Sequence, residues 1–265
     1  MRLKSKVYRS SVHPEPILLL HGMGSASTAW KPIIPALNEF FTVVTIDLPG
    51  HGETPMDSTQ AMDPKSLARA VIETMEHRGH ERFDIVGNSL GGWIAFEIAA
   101  MKPSAVASVT GLAPAGLWLQ PFNARYPGAA IARMLASSLK VVSPLLMRYE
   151  WARKIGFENV SPLWKGFSYE LCKEASDAMA TSAGYYPAWD AMLRKRFHEH
   201  IDASIPVTVI FGDSDRTLPA ETCQERSLVP KQTRWLTFAQ CGHAPMWDHP
   251  QEVVAEILLT TGKSL

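Results

Sequence analysis

The chain has 265 residues, 46% hydrophobic and 20% charged, which is the composition of a folded globular protein rather than a disordered or fibrous one. Its 26 basic and 26 acidic residues cancel and no Lys/Arg-rich run appears, so nothing argues for a nucleic-acid partner. No stretch of eighteen apolar residues could span a bilayer, and no apolar stretch of signal-peptide length follows the basic start, so the expected location is cytoplasmic.

Residues 1–12 read as one or two antiparallel edge strands. The apolar run 17–20 reads as a buried strand that empties into the loop His21-Gly22-Met23-Gly24. A helix is expected near 28–39, capped by Ser27 or Thr28, followed by a strand over 42–47. That strand ends in Asp47-Leu48-Pro49-Gly50-His51-Gly52, where Asp47 and His51 read as turn formers. Asp63 and Pro64 start a helix over 64–78, in the cap and first-turn positions that suit them. Next come a strand at 83–87, a helix at 90–101 and a strand at 106–111. The alternation resumes with a strand at 207–211, a helix at 219–227, a strand at 233–238 and a helix at 250–261. The last of these begins at His249-Pro250, with Asp248 as a charge favourable to a helix start. Alternating strands and helices predict an α/β fold: a mostly parallel, doubly wound sheet with helices on both faces.

Between 114 and 204 the alternation breaks. This stretch is dotted with prolines and aromatics and carries helical-period apolar runs such as 129–135. It reads as a helical insertion into a core formed by residues 1–113 and 205–265. Its eleven Lys/Arg and eight Asp/Glu make it mildly basic, the mark of a solvated face. His198 and His200, in a charged stretch of it, read as surface residues.

The most informative segment is Gly87-Asn88-Ser89-Leu90-Gly91, set between a buried strand and a buried helix. A G-x-S-x-G at such a joint is a nucleophile elbow: the backbone turns so tightly that the flanking positions leave no room for side chains. Two distant loops complete a constellation. One follows the strand 207–211 and offers an aspartate, Asp213 or Asp215; the other follows 233–238 and offers His243. A serine hydroxyl needs a base to take its proton, and a carboxylate can fix that base's tautomer. The three cysteines, Cys172, Cys223 and Cys241, have no ligand spacing and an odd count, which argues against disulfides. Cys241 reads as a small buried hydrophobe despite its nearness to His243.

With these motifs in this order, nearly the whole chain resembles the α/β-hydrolase superfamily, in its esterase, haloperoxidase-like and carbon–carbon hydrolase branch. The resemblance rests on 17–24, 46–52, 85–92, 212–219 and 240–245. It implies an α/β-hydrolase fold with the insertion as a helical cap, and a catalytic triad of Ser89, Asp215 and His243. The family pattern Gly-x-x-Asp-x-x-x-Pro selects Asp215, because Pro219 falls four residues after it. It further implies an oxyanion hole from the Met23 and Leu90 amides, with His21, Gly22 and Asn88 in supporting places around the site. The aromatics Trp118, Trp151, Trp164, Trp189 and Trp247 are candidates for a substrate pocket. Neither a metal nor a cofactor is expected.

The implied function is cleavage of a small or medium, largely apolar carboxylic ester, or a related thioester or lactone, by a monomer or homodimer acting on a small molecule. Asn-Ser at 88–89 also occurs in carbon–carbon bond hydrolases of aromatic meta-cleavage products, which makes that chemistry the alternative. The chain departs from that branch in having Ala244 rather than tryptophan after His243. Its oxyanion loop is also shorter and poorer in glycine, and the cap arginine that branch needs could be Arg133, Arg148 or Arg153. The other alternative is a binding protein that keeps the pocket without catalysis. Ser89 argues against haloalkane dehalogenases and epoxide hydrolases, which use an aspartate nucleophile.

Overall fold

Strands that are apolar at successive positions need cover on both faces, and the topology supplies it. The protein is seen in a computed structural model that describes residues 2–125 and 142–263, together with 134 and 138. Most of the apolar run 129–135, including Arg133, lies outside the described residues. Seven strands, β1 (Ser5–Tyr8), β2 (Pro16–Leu20), β3 (Thr42–Ile46), β4 (Phe83–Asn88), β5 (Val106–Leu112), β6 (Val207–Gly212) and β7 (Arg234–Phe238), form one sheet. Their order is β1-β3-β2-β4-β5-β6-β7. Only β1 is antiparallel, pairing with β3 as a single edge strand.

The helices follow the expected alternation with two departures. α1 (Ile34–Asn38) is only the end of the helix expected over 28–39, preceded by a 3-10 turn over Ser27–Trp30. Pro32 and Pro35 explain the break, since neither can donate to a continuous helical ladder. Neither Ser27 nor Thr28 caps it; instead the Ser27 amide donates to Asp47 Oδ1 at 2.7 Å. α2 (Pro64–His77) is capped by Asp63, which accepts from the Ser66 amide. α3 (Leu90–Met101) follows β4. Within the insertion lie α4 (Glu150–Phe157), α5 (Tyr169–Thr181) and α6 (Tyr185–Met192), and α7 (Pro250–Thr260) closes the chain. The helix expected over 219–227 shrinks to Ala220–Cys223. There the Glu225 amide is drawn to the Leu117 carbonyl, which turns the chain away.

Alternate residues of each strand enter opposite layers. Leu18, Leu20, Val44, Ile46 and Ile85 pack with α2 and α3. Ile17, Leu19, Val43, Val86 and Ile210 pack with α1 and α7. The insertion divides between its own small core, around Phe157, Trp164, Phe167 and Cys172, and the main one, which Ala188, Met192 and Phe197 join. Among the described residues, no helix is long and apolar enough to cross a membrane.

The chain leaves β2 for β3 on one side and β4 on the other, so the strand order reverses at β2. Open α/β sheets bind ligands in the crevice at the carboxyl ends of the strands beside such a switch. The elements there pack without slack. A methyl group on Gly91 would lie 2.1 Å from the Leu20 carbonyl oxygen, whereas one on Gly156, in α4, would meet nothing within 4 Å. Gly91→Ala should therefore lose about 3 kcal/mol in urea unfolding. Gly156→Ala should gain about 0.5–1 kcal/mol in the same measurement.

Candidate active site

β4 delivers Ser89 to the crest of the sheet, and the backbone there is strained. Ser89 has φ 54° and ψ −118°, a conformation that L-residues rarely adopt. Such strain costs on the order of 1–3 kcal/mol and persists where the surroundings enforce it. Here the Ser89 amide donates to the Leu112 carbonyl, and its own carbonyl accepts from Gly92 and Ala115. A serine before a helix normally turns its hydroxyl onto the first-turn amides. Ser89 makes no such capping bond, so its hydroxyl is not consumed by the helix it precedes.

The loops carrying Asp215 and His243 meet nearby. His243 Nδ1 and Asp215 Oδ2 are 2.8 Å apart, and the Asp215 side chain is wholly buried. Asp215 Oδ1 accepts from the Thr217 and Leu218 amides at 2.8 and 2.9 Å, which aims its other oxygen at the imidazole. Asp213, the competing carboxylate, instead accepts from the Ser214 hydroxyl and the Cys241 amide. Among the described residues no hydrogen bond joins the Ser89 hydroxyl to the His243 ring. The two are tied at one remove, because the Asn88 side chain donates through Nδ2 to the Leu112 and His243 carbonyls at 3.0 Å each.

The loop after β2 lies against the elbow: a methyl group on Gly22 would come within 3.0 Å of Ser89 Cβ. His21 is fully buried and holds this loop with both nitrogens. Nδ1 lies 2.7 Å from the Gly22 carbonyl, and Nε2 accepts from the Leu48 amide at 3.0 Å. Burial pushes the His21 imidazole below its ordinary range, against the pull of Asp47. Among the described residues neither the Met23 nor the Leu90 amide is bonded to an acceptor. Cys241 is buried, and its thiol is pushed up by burial and then by the nearby Asp248 carboxylate, so it has no thiolate character.

The insertion touches the crest at several points. A methyl group on Gly24 would come within 2.7 Å of Met179 and 3.0 Å of Tyr185. The Gly184 amide donates to Gly50, and the His243 amide donates to Val160 at 2.7 Å. Three of the five singled-out tryptophans are bracing. Trp118 is buried edge-on to Trp93 and donates to the Lys195 carbonyl. Trp164 lies in the insertion's own core, and Trp247 donates to the Ala29 carbonyl while packing on Phe157 and Phe167. Trp151 is 57% exposed on α4. Trp189 packs on Tyr185, which itself lies against the Gly24 backbone. Two carboxylates that sequence reading gave other tasks, Asp47 as a turn former and Asp248 as a helix-start charge, also bridge separate segments: Asp47 ties Ser27 to Glu53, and Asp248 reaches the Gly242 amide and the Ser161 hydroxyl. Their partners are far off in the chain or lie in irregular loops, so no local pattern announces them.

A switch-point crevice holding an elbow serine, a buried Asp–His pair and a tight His-Gly loop is the architecture of an α/β-hydrolase. The sequence profile of the alpha/beta hydrolase family matches residues 17–257, and the chain belongs to that family. It is 30% identical over 207 residues to the pimeloyl-[acyl-carrier protein] methyl ester esterase of Methylococcus capsulatus, covering 77% of this chain and 78% of that one. With the esterase of the same name from Legionella pneumophila it shares 26% identity over 246 residues, 88% of this chain and 90% of that one. A solved meta-cleavage product hydrolase from Pseudomonas fluorescens IP01 shares the fold, with a TM-score of 0.71 at 18% identity, covering 98% of this chain and 94% of that one.

The buried His21 has a consequence for stability. Its folded pKa lies below the value of about 6.5 it has when unfolded, so acid protonates the unfolded chain first. The stability it supports is present above about pH 6.5 and is lost as the pH falls below that. His21→Gln should flatten the acid limb of urea midpoints by up to about 1.4 kcal/mol per pH unit.

Proposed function

We propose that the protein is a serine esterase that cleaves a small or medium, largely apolar carboxylic ester through an acyl-enzyme on Ser89. The observation that carries this reading is the pairing of an uncapped serine at positive φ with a buried Asp215–His243 couple opening onto the same crest. In the proposed cycle, Asp215 accepts a hydrogen bond from His243 Nδ1–H, which keeps the proton on Nδ1 and leaves Nε2 as the lone-pair nitrogen. Nε2 takes the Ser89 proton as Oγ attacks the ester carbonyl. The oxyanion forms between the Met23 and Leu90 amides, each worth on the order of 3 kcal/mol at the transition state. Collapse expels the alcohol, protonated by His243, and water then repeats the sequence to release the acid.

In this reading the insertion is a cap that excludes water and shapes the acyl pocket, with Met179, Tyr185 and Trp189 as its contribution above the Gly22–Gly24 loop. The named relatives are methyl ester esterases, which supports a small alcohol part. The carbon–carbon alternative draws on Asn88 before the nucleophile. Its amide already has a mechanical task, joining β5 to the base loop, so Asn88 is accounted for without that chemistry.

A panel of 4-nitrophenyl esters of rising acyl length, run beside a fluorophosphonate probe, tests the reading. Covalent labelling of Ser89 with turnover of the shorter esters is the expected result. Rapid bleaching of a yellow dienoate ring-cleavage product with feeble esterase activity would transfer the assignment to carbon–carbon cleavage. A folded protein that neither labels nor turns over would be a binding protein. Ser89→Ala should lower kcat by at least about 10³-fold with the fold intact.

The two aspartates separate in the same assay. Asp215→Asn should cost roughly 10⁴-fold in kcat by favouring the wrong tautomer. Asp213→Asn, at a carboxylate held by Ser214, Gln240 and Cys241 rather than by the imidazole, should stay within about tenfold of the wild type. Equal losses would sink the assignment of Asp215.

A further inference from the structure

The loop that carries His243 is held from outside the sheet as well as from within it. On the inner side, its Cys241 amide donates to Asp213 Oδ1 at 3.3 Å and its His243 carbonyl accepts from Asn88. On the outer side stand the insertion and the short turn over Pro245–Asp248. The His243 amide donates to the Val160 carbonyl at 2.7 Å, and the Gly242 amide donates to Asp248 Oδ2 at 2.7 Å. The other oxygen of Asp248 accepts the Ser161 hydroxyl. Ser161 is buried, and its oxygen in turn accepts from the Leu163 amide at 2.9 Å, which leaves its single proton for Asp248. The packing is equally close: a methyl group on Gly242 would lie 2.0 Å from the Val160 carbonyl oxygen.

We propose that Asp248, with Ser161, is a positioning residue for His243: one carboxylate oxygen holds the backbone immediately before the imidazole and the other anchors it to the insertion. The inference rests on the reading of His243 as the base. Nδ1 of His243 is fixed by Asp215, but one bond to a ring leaves the loop free to carry the imidazole toward or away from Ser89. The backbone amides of Gly242 and His243 set that distance, and both are gripped by groups from 157–163 or 245–248. A carboxylate suits the task because it accepts on two separate oxygens at once, where a hydroxyl or a lone carbonyl could satisfy only one donor in that geometry. Burial raises the Asp248 carboxyl above the ordinary carboxylate range, and its two donors act in the opposite sense. The insertion therefore does more than roof the site. Its Val160–Ser161 corner is part of the frame that aims the base.

The test uses the full chain with Asp248→Ala, Asp248→Asn and Ser161→Ala, and Val71→Ala in α2 as a remote core variant matched for lost stability. Turnover of 4-nitrophenyl butyrate and the rate of Ser89 labelling by a fluorophosphonate are measured on each folded protein. Asp248→Ala should lose about 10²-fold in both rates, the cost of a misplacement on the order of 1 Å, with KM within about threefold. Asp248→Asn keeps an oxygen for the Gly242 amide and should recover at least about tenfold of that loss. Ser161→Ala should fall by about fivefold. The proposal is overturned if Asp248→Ala keeps more than about a third of both rates while Ser89→Ala abolishes them. It is equally overturned if Val71→Ala, at the same melting temperature, loses as much. If Asp248→Ala does not fold, unchanged rates in Ser161→Ala decide against it. A wild-type protein that is neither labelled nor active overturns the esterase reading, and the proposal with it.

Discussion

The site depends on how closely the first turn of α3 can approach the end of β2. Gly91 lies where any Cβ would strike the Leu20 carbonyl, and Gly87 lies where one would strike the Gly91 carbonyl. With both side chains absent, the helix starts almost on top of the sheet, and the residue between them has to turn through a backbone angle that serine dislikes. The strain at Ser89 is offset by the burial of α3, whose residues from Leu90 to Ala99 are all enclosed. The same closeness brings Gly22 of the loop after β2 against Ser89, so one steric arrangement holds both the serine and that loop. Presentation of the serine and placement of the Gly22 backbone are thus a single packing event seen from two strands.

Much of this was legible in the chain because it is local. Sequence patterning marks six of the seven strands within a residue, and Asp63 caps α2 as its position before Pro64 suggests. The elbow is legible for the same reason: its glycines, serine and flanking runs are contiguous. What the chain hides is whatever local preference loses to a distant partner. The turn at Ser27 is capped by Asp47, twenty residues on, rather than by its own hydroxyls. The helix expected over 219–227 gives way where Leu117 captures Glu225. Asp248 sits where a helix-start charge belongs, yet its oxygens go to Gly242 and to Ser161, 87 positions away.

The tryptophans show the same limit from another side. A large amphipathic ring in a sequence looks alike whether it lines a pocket or fastens two layers together. Here Trp118 and Trp247 spend their ring N–H groups on backbone carbonyls and their faces on other aromatics, which is the behaviour of bracing. Trp247 in particular joins the Ala29 turn to Phe157 and Phe167 of the insertion, four residues after His243. The His243 loop, the insertion and the turn after β2 are therefore fastened to one another through Trp247 and the His243 amide.

His21 and His243 both lie at this crest, and hydrogen-bond counting separates their roles. A neutral imidazole has one donor nitrogen and one acceptor nitrogen. For His21 both are used: Nε2 accepts from the Leu48 amide, so the proton sits on Nδ1 and points to the Gly22 carbonyl. No lone pair is left to take a proton from a substrate or a serine, and burial further disfavours the charged ring. For His243 the Asp215 carboxylate can only accept while ionised, so the proton again sits on Nδ1. In this case Nε2 has no backbone donor against it among the described residues. The two rings share a tautomer and differ in whether the second nitrogen is already satisfied. That difference, rather than proximity to Ser89, makes one of them scaffold and fits the other to serve as a base.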